Sequence, residues 1–240
     1  MNLVDHLFVL LLFVVQPVHG AWSYRRYVRK IDAGAPSNRL QLYRDILIVE
    51  WVAFLVVAVF WSLASRPLAE LGLVTPGGTG FWGGAALLVA VSGYLLYSVR
   101  ATGQLSDQQV AKQLADFGTL RHALPQNDRD YRRFVGVSIT AGIVEEFLYR
   151  GFAFWYLAQL MPLWAVVVVS SIAFGLGHSY QGISGMIRVT LIGLAFGTFY
   201  VWTGSIWLPM LAHAVLDILQ GAVILTLMRR ENTKAKAEPA

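Results

Sequence analysis

Glu145-Glu146-Phe-Leu-Tyr-Arg150 places three ionisable groups inside an apolar stretch, Phe134 to Ala158, that is long enough to cross a bilayer. Each such group costs about 2.5–3.5 kcal/mol at the centre of a membrane helix, so a chain that keeps them is expected to use them. Two further apolar stretches hold His178 and the pair His213 and Asp217. Glu146 and Arg150 are i,i+4 and can neutralise one another on one helix face. Glu145 is turned about 100° away and has no such partner on its own helix. A carboxylate of that kind, supplied with water, is a candidate general base. His213 and Asp217 are also i,i+4, so Asp217 is expected to orient the imidazole or to provide a further polar contact. Phe174, one turn before His178, is placed to wall the pocket against lipid. A base for water and donors for a developing negative charge are the requirements of peptide hydrolysis.

These residues need helices to carry them to one depth. The 240 residues are 56% hydrophobic and 14% charged, against roughly 25% charged in an ordinary soluble domain. An all-α, polytopic membrane bundle of about seven spans is expected, at 3–18, 45–64, 81–99, 134–158, 163–179, 186–202 and 206–228. The first run is read as a retained helix rather than a cleaved signal peptide, because its front end carries Asp5 and His6 and the basic cluster follows it. Placing 20–44, 100–133, 181–188 and 229–240 in the cytoplasm puts there all of the 19 Lys and Arg except Arg66 and Arg150. That asymmetry expects the N-terminus outside, the C-terminus in the cytoplasm and an inner cell membrane as the location. With this topology Glu145, His213 and His178 lie ~17, ~19 and ~9 Å from the inner face.

Three segments follow: transmembrane helices and an amphipathic connector at 1–133, a helical core at 134–228 holding every residue above, and a polar cytoplasmic tail at 229–240 that is expected to lack order from Glu231 on. In the connector, Leu105, Val110, Leu114, Phe117 and Leu120 make one apolar helical face, fit for the inner leaflet or for a solvated linker. Gly136, Ser138, Ala141 and Gly142, and the Gly193/Gly197 pair, should let helices approach closely. Trp51, Trp61, Trp82, Trp202 and Trp207 are assigned to interfacial belts, and Glu50 to the headgroup region. The net charge of +5 is explained by anionic headgroups, so the bilayer is a partner and nucleic acid is not expected. The absence of cysteine excludes disulfides, thiolate ligands and a cysteine nucleophile.

Taken together, Glu145-Glu146-x-x-x-Arg150, Phe174-x-x-x-His178 and His213-x-x-x-Asp217 match in order the three motifs of the CPBP family. That family comprises the CAAX proteases and bacteriocin-processing enzymes, including the type II CAAX prenyl endopeptidases, also called ABI proteins. The resemblance covers about residues 134–228. It implies intramembrane proteolysis of a membrane-anchored protein or peptide, with Glu145 and His178 activating a water, and His213 and Asp217 stabilising the oxyanion. Glu146, Arg150 and Phe174 would support them. Many relatives have Asn where this chain has Asp217, and an ionised Asp cannot donate to an oxyanion, so it would act protonated or through His213.

No cofactor is favoured. Zinc on Glu145, His178 and His213 is the alternative, set against the missing His-Glu-x-x-His helix. A serine mechanism from Gly182-Ile-Ser184-Gly185 with His213 is rejected, since the rise arithmetic separates Ser184 and His213 by more than ~15 Å. The non-enzymatic alternative is an immunity or binding protein, or a proton-coupled transporter, built around the same polar cluster. Neither the substrate sequence nor the oligomeric state is readable from these residues.

Overall fold

The structure is a computed structural model that describes residues 1–237. Among the described residues the chain forms helices throughout, joined by short turns. They are α1 (Leu3–Asp32), α2 (Arg39–Leu63) and α3 (Gly78–Thr102), α4 (Asp107–Asp116), and α5, which starts as Asp128–Glu146 and runs on through a π-helical segment Phe147–Ala153 into Phe154–Ala158. They continue as α6 (Leu163–Gly177), α7 (Gly182–Thr203) and α8 (Trp207–Ala237). Five of them, α1, α2, α3, α7 and α8, are long and apolar enough to cross a membrane. Of the other two expected spans, α5 carries Glu145, Glu146 and Arg150, and α6 has 15 residues, ~22 Å of rise. Whole faces of α2 and α3 expose large apolar side chains, among them Val52, Val59, Leu63, Val89 and Leu96. Such continuous apolar exposure suits acyl chains and not water. The chain is a multi-pass helical membrane protein.

Local chemistry sets the breaks. Ser106 caps α4 in a reciprocal box with Gln109, and Asn127 caps α5 through the Asp130 amide. Gly204, at φ 65°, closes α7 in the left-handed region where a side chain would be strained. The connections gather at two ends. At one end Tyr24, Tyr27 and Tyr43 donate to the carbonyls of Thr119, His122 and Ala123. There too Arg39 meets Asp130 at 2.9 Å, and Arg121, Arg229 and Arg230 pair with Glu231, Asp128 and Asp107. At the other end Asp5 holds Arg66 by two bonds of 2.7 and 2.8 Å, while Trp155 and Trp207 donate to Glu70 and to the Val74 carbonyl.

Two contacts position the core. α5 and α8 make the broadest helix–helix contact and run antiparallel. Gly142 permits it, since a Cβ there would stand 2.7 Å from the Met210 carbonyl and 2.9 Å from the Ala214 amide. α2 and α5 run parallel, with Tyr43 against Phe134, the Trp51 indole on Thr140 and Phe54 against Phe147.

Several expectations change. The basic segment after the first run is helical to Asp32 rather than a loop from residue 20. The apolar face of α4 packs on Ile224, Leu227 and Met228 of α8 instead of lying on a leaflet. Helix α8 continues through Glu231 to Ala237, so the tail is ordered there; the expectation for 238–240 lies outside the described residues. Trp61 is not a belt residue: it is 2% exposed, donates to the Pro67 carbonyl and sits under the Arg66 guanidinium. Gly136 faces open space, whereas Gly193 and Gly197 do make close contacts.

Candidate active site

Glu146 is the hub of the polar cluster. Its carboxylate is fully buried, and one oxygen, Oε1, accepts both from Arg150 Nη1 at 3.0 Å and from His213 Nδ1 at 2.9 Å. Arg150 sends its Nη2 to the Gly193 carbonyl at 2.9 Å and lays its guanidinium 4.6 Å from the Phe174 ring centre. A cation so desolvated requires this many partners. The i,i+4 pair therefore does more than neutralise itself: it ties α5 to α7 and α8.

The orienting group for His213 is thus Glu146 rather than Asp217. The reason is geometric, since Asp217 Oδ2 stands 3.6 Å from His213 Nε2, beyond hydrogen-bond reach, while Nδ1 is taken by Glu146. Asp217 is one third exposed and sits at the rim. His178 lies just past the end of α6, where its backbone leaves the helix. Its Nδ1 is 2.9 Å from the Phe174 carbonyl, which can only accept, so Nδ1 carries a proton and Nε2 points inward.

Both free Nε2 atoms converge on Glu145. Its Oε2 is 3.9 Å from His178 Nε2 and 3.9 Å from His213 Nε2, and has no hydrogen-bond partner. The Glu145 side chain keeps 20% of its surface exposed, against none for Glu146. Gaps of this size on both sides of an unpartnered carboxylate oxygen suit a small polar molecule better than direct ion pairs. The Phe174 ring lies near both imidazoles, tilted at 4.8 Å from His178 and edge-on at 6.0 Å from His213. Ser184 is exposed at the start of α7, and both His213 nitrogens face carboxylates.

The donors Glu145, His178 and His213 are of the zinc-binding type, and each imidazole has its outer nitrogen held. Their spacing does not fit an ion as placed: ligands ~2.0–2.1 Å from one tetrahedral zinc are ~3.3 Å apart, while the carboxylate–imidazole distances here are 3.9 Å. Among the described residues no group of three or more such side chains could hold a metal ion.

One residue of this neighbourhood was placed elsewhere from sequence. Glu50 on α2, expected near the headgroups, has a buried Oε2 without a partner, and its charged neighbours are Glu145, His213 and Asp217. The signal was its spacing: Tyr43, Glu50, Phe54, Val57 and Trp61 recur on one face of α2, and that face packs inward.

Comparison with known proteins bears on the same region. Residues 129–219 match the model of the family described as type II CAAX prenyl endopeptidase Rce1-like. A protein of Bacillus subtilis (strain 168) described as "Putative membrane peptidase YdiL" is 29% identical over 80 residues, which make up 33% of this chain and 32% of that protein. The similarity thus spans about a third of the relative's length. No solved structure matches the chain. The family window contains Glu145, Glu146, Arg150, Phe174, His178, His213 and Asp217, so the part of the chain that builds the site, residues 129–219, is similar to the type II CAAX prenyl endopeptidases.

Proposed function

We propose that the chain is an intramembrane endopeptidase of the glutamate type, hydrolysing a peptide bond close to a membrane anchor, in a site that opens to the cytoplasmic side. The observation that carries this reading is the unpartnered Glu145 oxygen between two inward-facing imidazole nitrogens. In that gap Glu145 takes a proton from a water as its oxygen attacks the scissile carbonyl, and His178 Nε2 holds the water in line. His213, with Nδ1 anchored on Glu146 and a proton on Nε2, meets the oxyanion as an imidazolium, with Glu146 and Asp217 as counter-charges. The intermediate collapses as the C–N bond breaks and a proton reaches the leaving nitrogen. Arg150 and Phe174 hold the geometry. Basic residues at the end of the bundle formed by the α1–α2, α3–α5 and α8 termini support a cytoplasmic location for that end.

The substrate class rests on the family and on the site's depth: a lipidated or helical membrane segment whose next residues reach the site. The discriminating experiment is a comparison of peptides in membranes from cells with the wild-type protein and with Glu145→Gln. New termini should appear with the wild type and vanish in the variant, while expression and thermal midpoint stay the same. Equal peptide populations in the two would end the protease reading and leave the polar cluster as a binding or proton site.

A further inference from the structure

Buried carboxylates with a structural task in this protein each hold two or more donors. Asp5 takes two bonds from Arg66, Asp130 takes bonds from Arg39, Asn127 and the Gln126 amide, and Glu146 takes two charged donors. Two carboxyls break the pattern. Glu146 also leaves its Oε2 without a partner, but Glu145 and Glu50 each keep a buried oxygen unpartnered and take no hydrogen-bond donor at all, and the charge of Glu145 bears on Glu50 from a separate helix.

The helix register explains why. Because α2 and α5 run parallel, with Tyr43 on Phe134 and Phe54 on Phe147, Glu50 falls at the level between those contacts and slightly to the inner side of Glu145. Phe54, one turn further along the same face, closes the hollow on the outer side by its 4.5 Å contact with Phe147. The titratable groups that face Glu50 are Glu145 from α5, His213 and Asp217 from α8, and Tyr180 from the turn after α6. No basic side chain pairs with it directly.

Two carboxyls that bear on one another in a largely buried site, with no Lys or Arg to pair them, are cheaper with one proton held between them than with both charged. Glu145 has two imidazoles within 3.9 Å and Glu50 has none that near, so the shared proton rests on Glu50. Resting on the protease reading above, we propose that Glu50 is the acid partner of Glu145: it delivers its proton, directly or through one water, to the leaving nitrogen. The proton count closes. Water gives one proton to Glu145 as the C–O bond forms, Glu50 gives one to nitrogen as the C–N bond breaks, and transfer from Glu145 to Glu50 restores both. Opposite protonation of two carboxyls is the arrangement general acid and base require.

The test uses isolated membranes carrying the full chain as wild type, Glu145→Gln, Glu50→Gln or Glu50→Asp, with the appearance of new peptide termini followed across pH. Glu50→Gln is nearly isosteric and uncharged, so its thermal midpoint should stay at or above that of the wild type. It should form the same termini at least 10-fold more slowly, and lose the alkaline fall in rate that the wild type shows when its acid gives up the proton. Glu50→Asp should recover part of the rate and keep that fall. A wild-type rate and pH profile in Glu50→Gln overturns the assignment, as does a slowed variant whose alkaline limb is unchanged, which marks a structural role. If wild type and Glu145→Gln give the same termini, the protease reading itself fails and takes this one with it.

Discussion

Removing the negative charge of Glu146 is the most informative single perturbation, because one oxygen serves two elements. In Glu146→Gln the amide oxygen can still accept from Arg150 Nη1 and His213 Nδ1, now 3.0 and 2.9 Å away, but as a neutral acceptor. Each bond loses its anionic acceptor while its donor keeps its charge; taking the difference between charged and neutral hydrogen bonds, about 1–1.5 kcal/mol, as the upper measure, the two lose at most about 2–3 kcal/mol between them. Both groups are at most 1% exposed in the ion pair, so solvent screening does not reduce that figure. Arg150 keeps the Gly193 carbonyl and the Phe174 ring, which prevents the larger loss of a stranded charge. In a chain of this size the thermal midpoint in detergent should fall by roughly 5–10 °C. Release of His213 should slow peptide-terminus formation by about 10- to 100-fold, as misplaced catalytic groups do.

The double variant Glu146→Gln/Arg150→Met separates the two duties. With the guanidinium gone, the buried site is neutral and the midpoint should return close to wild type, since a buried ion pair is often replaceable by apolar packing. The imidazole still lacks its anionic acceptor, so the rate should stay low. Recovery of both rate and midpoint would show that Glu146 serves Arg150 alone. An unchanged midpoint and rate in Glu146→Gln would refute the hub altogether.

Three further outcomes are expected. Gly142→Val should push α8 off α5, because its Cβ would meet backbone at 2.7 Å, and should lose activity and midpoint together, whereas Gly136→Ala, facing open space, should leave both unchanged. Arg66→Ala removes two donors from the Asp5 carboxylate near the end of the bundle, where solvent offsets part of the loss, and should cost about 1–2 kcal/mol in a denaturation assay, much of it regained in Arg66→Ala/Asp5→Asn. Treatment of the purified protein with a strong zinc chelator should leave terminus formation intact; loss with chelator and return on adding zinc would replace the glutamate mechanism by a zinc-dependent one.

What was legible in the sequence was whatever one helix decides for itself. The i,i+4 pairs Glu146/Arg150 and His213/Asp217 share faces by helical geometry, and the runs around them are apolar enough to be spans. Contacts between helices were not legible. Asp217 was the obvious partner for His213 because it is one turn away, yet Glu146, 67 residues off, holds Nδ1. That choice depends on how closely α5 and α8 approach at Gly142, a distance no single helix contains. The amphipathic connector shows the same limit: periodicity marked the apolar face of Val110 and Leu114 but not that α8 covers it.

Glu50 shows where the limit bites hardest. In soluble proteins the apolar face of a helix announces its inner side, but α2 is apolar nearly all round, since lipid and protein core are equally greasy. Hydropathy therefore cannot say which stripe turns inward, and a carboxyl near the helix start looks like a headgroup neighbour. Side-chain size can say it. Tyr43, Phe54 and Trp61 are the bulky members of the stripe that contains Glu50, each meets an aromatic ring of α5, and α2 could turn Glu50 to lipid only by withdrawing all three. The carboxyl is held at the site by the rings above and below it, so Phe54→Ala, which removes the nearest of them without touching a polar group, should weaken the same catalytic step that Glu50→Gln weakens, and the two substitutions combined should slow the reaction less than the product of their separate effects.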